Sequence, residues 1–311
     1  MAKHSSRDNS STQISTSSEK DRAWRNALIL MRIPFSVFLM PVFWFALSNS
    51  NQDFNHWTAF AVFIIIHVFM YPASNGYNSY HDKDEESIGG LENPPLVNQE
   101  LFYLVMLFDA TAIIGAYLIS PLFATMVFVY TMVSKAYSFD KIRLKRYPIA
   151  STVVVTVFQG AFTYGMVLIA LSLPIDKTQM IYAAISTFLI AGSYPLTQIY
   201  QHKEDHERGD KTLSLKLGIK GTFIFSSFMF LLGFSGIVAS YFMENKVVDI
   251  AVLIIATAPI GFYFFRWMVR SWKDDDHINF RNTMNMNAIS SIALSLAFIT
   301  MLVLHHFNFI Y

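Results

Sequence analysis

Nine long apolar runs alternate with short polar segments along the chain, near 26–48, 57–74, 98–119, 121–138, 147–171, 178–200, 219–241, 247–268 and 284–308. Each is long enough to cross the roughly 30 Å hydrocarbon layer of a bilayer as a helix. No stretch between them is long enough for a soluble domain. The pattern therefore predicts an all-α, polytopic membrane protein, with nine transmembrane helices in residues 22–311 around a central cavity. Residues 1–21 are Ser/Thr-rich and lack an apolar core, so they read as a disordered polar tail rather than a signal peptide. The first spanning helix is then expected to stay as an anchor.

Composition agrees. Hydrophobic residues make up 53% of the chain, charged residues only 14%, and mean hydropathy is +0.38. The absence of cysteine excludes disulfides, thiolate metal sites and cysteine nucleophiles. Charge is placed asymmetrically. With nine spans, all Lys and Arg except Lys177 and Lys246 fall on the side of the N-terminus, which the positive-inside rule makes cytoplasmic.

Two acidic stretches follow apolar runs on that same side. In the first, Asn75-Gly-Tyr-Asn78-Ser-Tyr-His-Asp82-Lys-Asp84-Glu85-Glu86, the residues Asn78, Asp82 and Glu86 are spaced i, i+4, i+8. If the helix continues through them, their oxygens form one column, suited to a hard cation such as Mg²⁺. In the second, Gln198 to Lys211, the residues Gln198, Gln201 or His202, and Asp205 share a helical face. Gly209 lets the chain turn so that Asp210 points back. Glu204 and Asp205 cannot both face one way on a regular helix.

Other polar groups are fewer. Arg32, next to Pro34, either snorkels to the interface or contacts phosphate. The segment Ser87-Ile-Gly89-Gly90-Leu-Glu-Asn93-Pro94-Pro95 cannot be regular helix and is free to fold over a pocket mouth as a lid. Asp109 and His67 lie within apolar runs, where pairing with another helix explains each at least as well as a site role. Lys135 to Arg146 is a basic cluster with aromatic punctuation. Most of its charges serve orientation near anionic lipid, while one or two could reach a diphosphate. Pro195 is placed to break the sixth span, and Asp274-Asp275-Asp276 is read as a solvated charge run.

Carboxylates from two places, with Lys and Arg between them, suit a polyanion held through Mg²⁺. A diphosphate with an apolar tail matches both the acidic stretches and the surrounding membrane helices. Metal would neutralise charge on the leaving diphosphate. The 29 Phe and 15 Tyr offer ring faces for an allylic cation.

The set Asn78-xxx-Asp82-xxx-Glu86, the stretch Tyr137 to Arg146, and the acidic segment ending Gly209-Asp210-Lys211-Thr-Leu-Ser resembles the UbiA superfamily of intramembrane prenyltransferases. The resemblance covers essentially the whole spanning region. It implies Mg²⁺ as cofactor and transfer of a prenyl group from a prenyl diphosphate to an aromatic or other lipophilic acceptor, with membrane lipid but no nucleic acid as a partner. It also implies residence in a bacterial inner membrane with the active site facing the cytoplasm. By resemblance, Asn78, Asp82, Glu86, Asp205 and Asp210 hold metal, and Asp82, Asp205 and Asp210 are the catalytic carboxylates. Asn78, Lys145, Arg146, Lys211, Arg32 and Tyr137 bind substrate.

Three departures stand out. Glu86 replaces Asp, Asn93 stands where many members have Arg before Pro, and Asp205 and Asp210 are one position further apart than usual. Glu204, Asp205, His206 or Glu207 could therefore fill the first slot of the second motif. A terpene cyclase of the same family and a cation transporter are the competing readings, followed by a non-catalytic assembly protein. Acids clustered at one membrane face rather than at the midplane argue against transport.

Overall fold

The computed structural model describes residues 8–50 and 52–307, with side chains from residue 19. Among these residues eight helices are long and apolar enough to cross a membrane: Glu19–Ser48, His56–Asp82, Gln99–Ile119, Pro148–Ala170, Lys177–Arg208, Leu213–Met243, Val247–Ser271 and Phe280–His306. The expected fourth span is also a helix, Pro121–Ser138. At 18 residues with Ser, Thr and Lys135 among them, it is not one of the eight. Residues 8–21 of the expected disordered tail belong to the first helix, Asp8–Leu30, and residues 1–7 lie outside the described residues.

The elements are α1 (Asp8–Leu30), α2 (Met40–Ser48), α3 (His56–Ile64), α4 (Tyr71–Asp82), α5 (Gln99–Ile119), α6 (Pro121–Ser138), α7 (Pro148–Val157), α8 (Thr163–Ala170), α9 (Lys177–Ser193), α10 (His202–Arg208), α11 (Leu213–Met243), α12 (Val247–Ser271) and α13 (Phe280–His306). Several of the spans are interrupted where local chemistry demands it. Arg32 adopts a left-handed conformation (φ 51°), and Pro34 then starts a 3₁₀ segment, Ile33–Leu39, between α1 and α2. α3 runs into α4, and α7 into α8, through π-helical turns at Ile65–Met70 and Phe158–Phe162. Such turns leave backbone groups to be satisfied by side chains. The Ala161 N–H donates to Thr187 Oγ1 at 3.1 Å.

The polarity of the bundle is that of a membrane protein. Trp57, Leu118, Ile255 and Met243 are at least 74% exposed, whereas Thr163, Ser214, Thr222 and Ser226 are fully buried. Apolar side chains facing outward lose nothing to lipid, while hydroxyls inside serve helix contacts. Asp109 is paired with Lys135, whose ammonium also lies over the Tyr77 ring. His67 stacks on Phe63 and shares a hydrogen bond with its carbonyl, away from the cavity described below.

The end of the bundle at α2–α3 is closed by polar side chains. Tyr164 donates to Gln179, and Gln179 in turn donates to the Asn49 carbonyl at 2.8 Å. Tyr182 donates to Glu244, which also pairs with Lys246. The other end carries the acidic and basic loops.

Candidate functional site

α4 delivers Asn78 and Asp82 one turn apart on the same face, where the Asn78 amide donates to Asp82 Oδ2 at 2.8 Å and to Ser138 Oγ at 3.0 Å. The helix stops there, because Lys83 takes a left-handed conformation (φ 51°). The expected column is thus cut after two members. The Glu86 side chain is 58% exposed, 4.0 Å from Lys203, and does not line the cavity. The carboxylate that turns inward is Asp84, which pairs with Arg208 and is 9% exposed. Arg208 also holds Glu204 at 2.7 Å.

The loop after α6 brings two cations to Asp82. Arg143, left-handed at φ 40°, grips Asp210 with Nε at 3.0 Å and Nη2 at 2.8 Å, and its Nη1 lies 3.4 Å from Asp82 Oδ1. Burial opposes its charge, but the hydrogen bond and charge of Asp210 outweigh burial and hold the guanidinium pKa above its ordinary value. Lys145 Nζ sits between the two carboxylates, 2.5 Å from Asp82 Oδ2 and 3.6 Å from Asp210 Oδ2. Arg146, expected at substrate, is exposed and outside the cavity. It follows Lys145 directly in the 3₁₀ turn Leu144–Arg146 and faces a different direction.

The second acidic stretch is shaped by Pro195 and Gly209. α9 ends at Ser193, two 3₁₀ turns follow, and α10 then carries Glu204 and Asp205. Gln198, Gln201, Glu204 and Asp205 all reach the cavity, while His202 turns to Ser214 at 2.7 Å. Gly209 (φ 72°) reverses the chain, a conformation costly for residues with a Cβ. Beyond it, Asp210 and Thr212 are buried and Lys211 between them is exposed. Alternation in an extended segment sends Lys211 outward, so this expected substrate contact does not line the cavity. Thr212 donates to Asp205 Oδ2 at 3.1 Å.

These groups form the mouth of a cavity of about 340 Å³ that runs into the bundle. Asn78, Asp82, Lys145, Asp205, Asp210, Arg32 and Tyr137 all line it. Tyr137 shares a 2.8 Å hydrogen bond with Tyr194. Arg32 donates to the carbonyls of Gly89 and Asn75, at 3.2 and 3.0 Å, so it ties α1 to the expected lid segment. Gln201 holds the same segment through the Ser87 carbonyl. Deeper walls include Phe38, Phe45, Tyr130, Phe158, Leu294 and Phe298.

Sequence reasoning missed Arg143, Asp84 and Arg208 as individual contributors. Arg143 lay within the recognised basic cluster, but nothing in its type distinguished it from Arg146. Among the described residues no three Asp, Glu, His or Cys side chains form a group that could hold a metal ion by themselves. The oxygens lining the cavity are nevertheless hard donors, and Asp82 Oδ1 is buried without accepting a hydrogen bond. That donor set fits Mg²⁺, which commonly takes one or two carboxylates and fills its other positions with phosphate and water.

Fold and site together define a membrane-embedded enzyme whose cavity joins a charged mouth to an apolar interior. The chain belongs to the UbiA prenyltransferase family, whose model matches residues 38–289, and it is a prenyltransferase of that family. A UbiA homolog from Archaeoglobus fulgidus, solved with GPP and Mg²⁺, has a TM-score of 0.69 at 17% identity, covering 89% of this chain and 99% of that one. The apo form of a UbiA homolog from Aeropyrum pernix K1 gives 0.62 at 18% identity, covering 86% and 98%. A structure of digeranylgeranylglyceryl phosphate synthase gives 0.58 at 15%, covering 91% and 98%. At such identities the likeness establishes the fold. No curated protein matches the chain significantly.

Proposed function

We propose that the protein catalyses Mg²⁺-dependent transfer of a prenyl group from a prenyl diphosphate to an aromatic or other lipophilic acceptor, at a site opening to the cytoplasm. The observation that carries this reading is the meeting of the two acidic stretches: Asp82 and Asp210, 128 positions apart by their numbers, are joined through Arg143 and Lys145 at the mouth of an apolar cavity.

In this reading Asn78, Asp82 and Asp205 hold the metal, and Lys145 and Arg32 take diphosphate oxygens. Bound Mg²⁺ would neutralise charge developing on the leaving diphosphate. The bond from carbon 1 to diphosphate oxygen breaks with its electron pair leaving on oxygen, the acceptor attacks carbon 1, and the acceptor loses a proton. Asp210 acts at one remove, by holding Arg143 and Lys145 in place. Aromatic faces lining the cavity, Tyr137, Tyr130 and Phe158 among them, suit a carbon skeleton that becomes cationic. The predominance of Lys and Arg near the cavity end supports the cytoplasmic orientation.

Purified protein in detergent with Mg²⁺ and prenyl diphosphates of several lengths, with and without membrane lipid extract, tests the reading. Acceptor-dependent diphosphate release is expected. Release that needs no acceptor would favour cyclisation, and none with any pair would sink the proposal.

A further inference from the structure

The geometry points to Lys145 as an internal counter-cation that keeps divalent metal from settling on the carboxylates until a diphosphate arrives. This rests on the diphosphate reading above and concerns the order in which the site fills.

Four charged groups with little exposure meet at the mouth. The side chains of Asp82 and Asp210 are 4% and 3% exposed, those of Arg143 and Lys145 9% and 12%. Two carboxylates this close would repel each other and each lose favourable hydration, so the two cations make the cluster tolerable. These four groups balance one another before any ligand enters, although Asp205 lies near Asp82, Asp210 and Lys145, and the exposed Asp140 lies 3.5 Å from Arg143 Nη1. A divalent ion reaching Asp82 would meet Lys145 already on that carboxylate and would have to displace it. Asp82 Oδ2 is already taken twice, by Lys145 at 2.5 Å and by the Asn78 amide at 2.8 Å.

A diphosphate changes that balance, because it brings several negative charges and offers Lys145 another partner. Of the two cations, Lys145 is the one built to move. Its ammonium is a compact charge on a flexible stem, whereas the Arg143 fork is fixed on Asp210 by two hydrogen bonds. Once Lys145 turns to phosphate, Asp82 Oδ2 becomes available to metal beside Oδ1, which accepts no hydrogen bond. Metal and diphosphate then strengthen each other's binding by the same factor, as linkage requires.

The test is Mn²⁺ binding to the full chain in detergent, followed by electron paramagnetic resonance, with and without a saturating prenyl thiolodiphosphate that ionises slowly. Wild type is expected to bind Mn²⁺ at least about tenfold more tightly with the analogue than without it, within the usual range for coupled sites. Lys145→Met is expected to bind Mn²⁺ alone about tenfold more tightly than wild type, with its melting temperature raised by Mg²⁺ alone. Lys145→Arg should restore the dependence on analogue. A lysine that only contacted diphosphate would weaken the ternary complex on removal and leave binding of metal alone unchanged, and that result overturns the inference. Equal Mn²⁺ affinity of wild type with and without analogue overturns it too, while leaving the diphosphate reading intact, and this comparison needs no folded variant. Wild type that binds no metal even with the analogue overturns both.

Discussion

Arg143 and Asp210, 67 positions apart, form a two-point clasp with hydrogen bonds of 3.0 and 2.8 Å. It joins the loop after α6 to the loop after α10. Both side chains are under 10% exposed, so the pair is desolvated and each partner depends on the other. The same guanidinium reaches toward Asp82 on α4. One side chain thereby ties together two loops and the end of α4, which share no local sequence.

Arg143→Ala should cost about 3–5 kcal/mol of stability, because it leaves the buried Asp210 carboxylate only the longer contact with Lys145 at 3.6 Å. Arg143→Ala combined with Asp210→Asn should recover part of that loss. Thermal unfolding in detergent across the four-member cycle measures both, and strictly additive losses would show that the clasp contributes no coupling.

Asp82→Asn keeps shape and the Asn78 contact but removes one charge. Diphosphate release should fall about 10²–10³-fold, the scale seen when one transition-state electrostatic contact is removed, and the melting temperature should fall as well, because Lys145 loses its 2.5 Å partner. Turnover equal to wild type would take Asp82 out of the reaction.

How much of this was legible in the sequence follows from which forces act locally. Hydrocarbon imposes long apolar runs, and so the helices could be read directly. Pro195 and Gly209 also acted where expected, since their backbone restrictions belong to the residue itself. The end of α4 was not legible. It is set by Lys83 in a left-handed conformation, a role for which lysine carries no signal, and it moves Glu86 out of the column. Arg143 and Arg146 differ in the same way, because a left-handed residue and a 3₁₀ turn decide which of two arginines points inward. Such choices come from packing between distant segments.

The exchange of Glu86 for Asp84 gives a direct comparison. Glu86→Gln should change activity by no more than about fivefold, because an exposed ion pair contributes roughly 0–1 kcal/mol. Asp84→Asn breaks its pairing with Arg208 and leaves that cation only Glu204. Its catalytic efficiency should fall at least about tenfold, the scale of losing a charged hydrogen bond. Steady-state kinetics on both variants decides, and a larger loss in Glu86→Gln would restore the helical column that the end of α4 interrupts.

Gly160 lies in the π-helical turn between α7 and α8, against α9. A Cβ there would come within 2.6 Å of Thr187 Cα and 2.7 Å of its backbone nitrogen, and neither atom can move without shifting α9. The same approach lets Thr187 Oγ1 accept the Ala161 N–H, so a shift would also expose a backbone donor. Gly160→Ala should therefore destabilise by about 1–3 kcal/mol, the usual cost of overpacking. At Gly165, five positions on, a Cβ would meet nothing within 4 Å, so Gly165→Ala should be neutral or gain about 0.5–1 kcal/mol from helix propensity. Melting temperatures of the two variants in one detergent test this. Equal behaviour would mean that the contact between the π-turn and α9 is loose enough to absorb a methyl group, and that the π-turn is not held open by close packing.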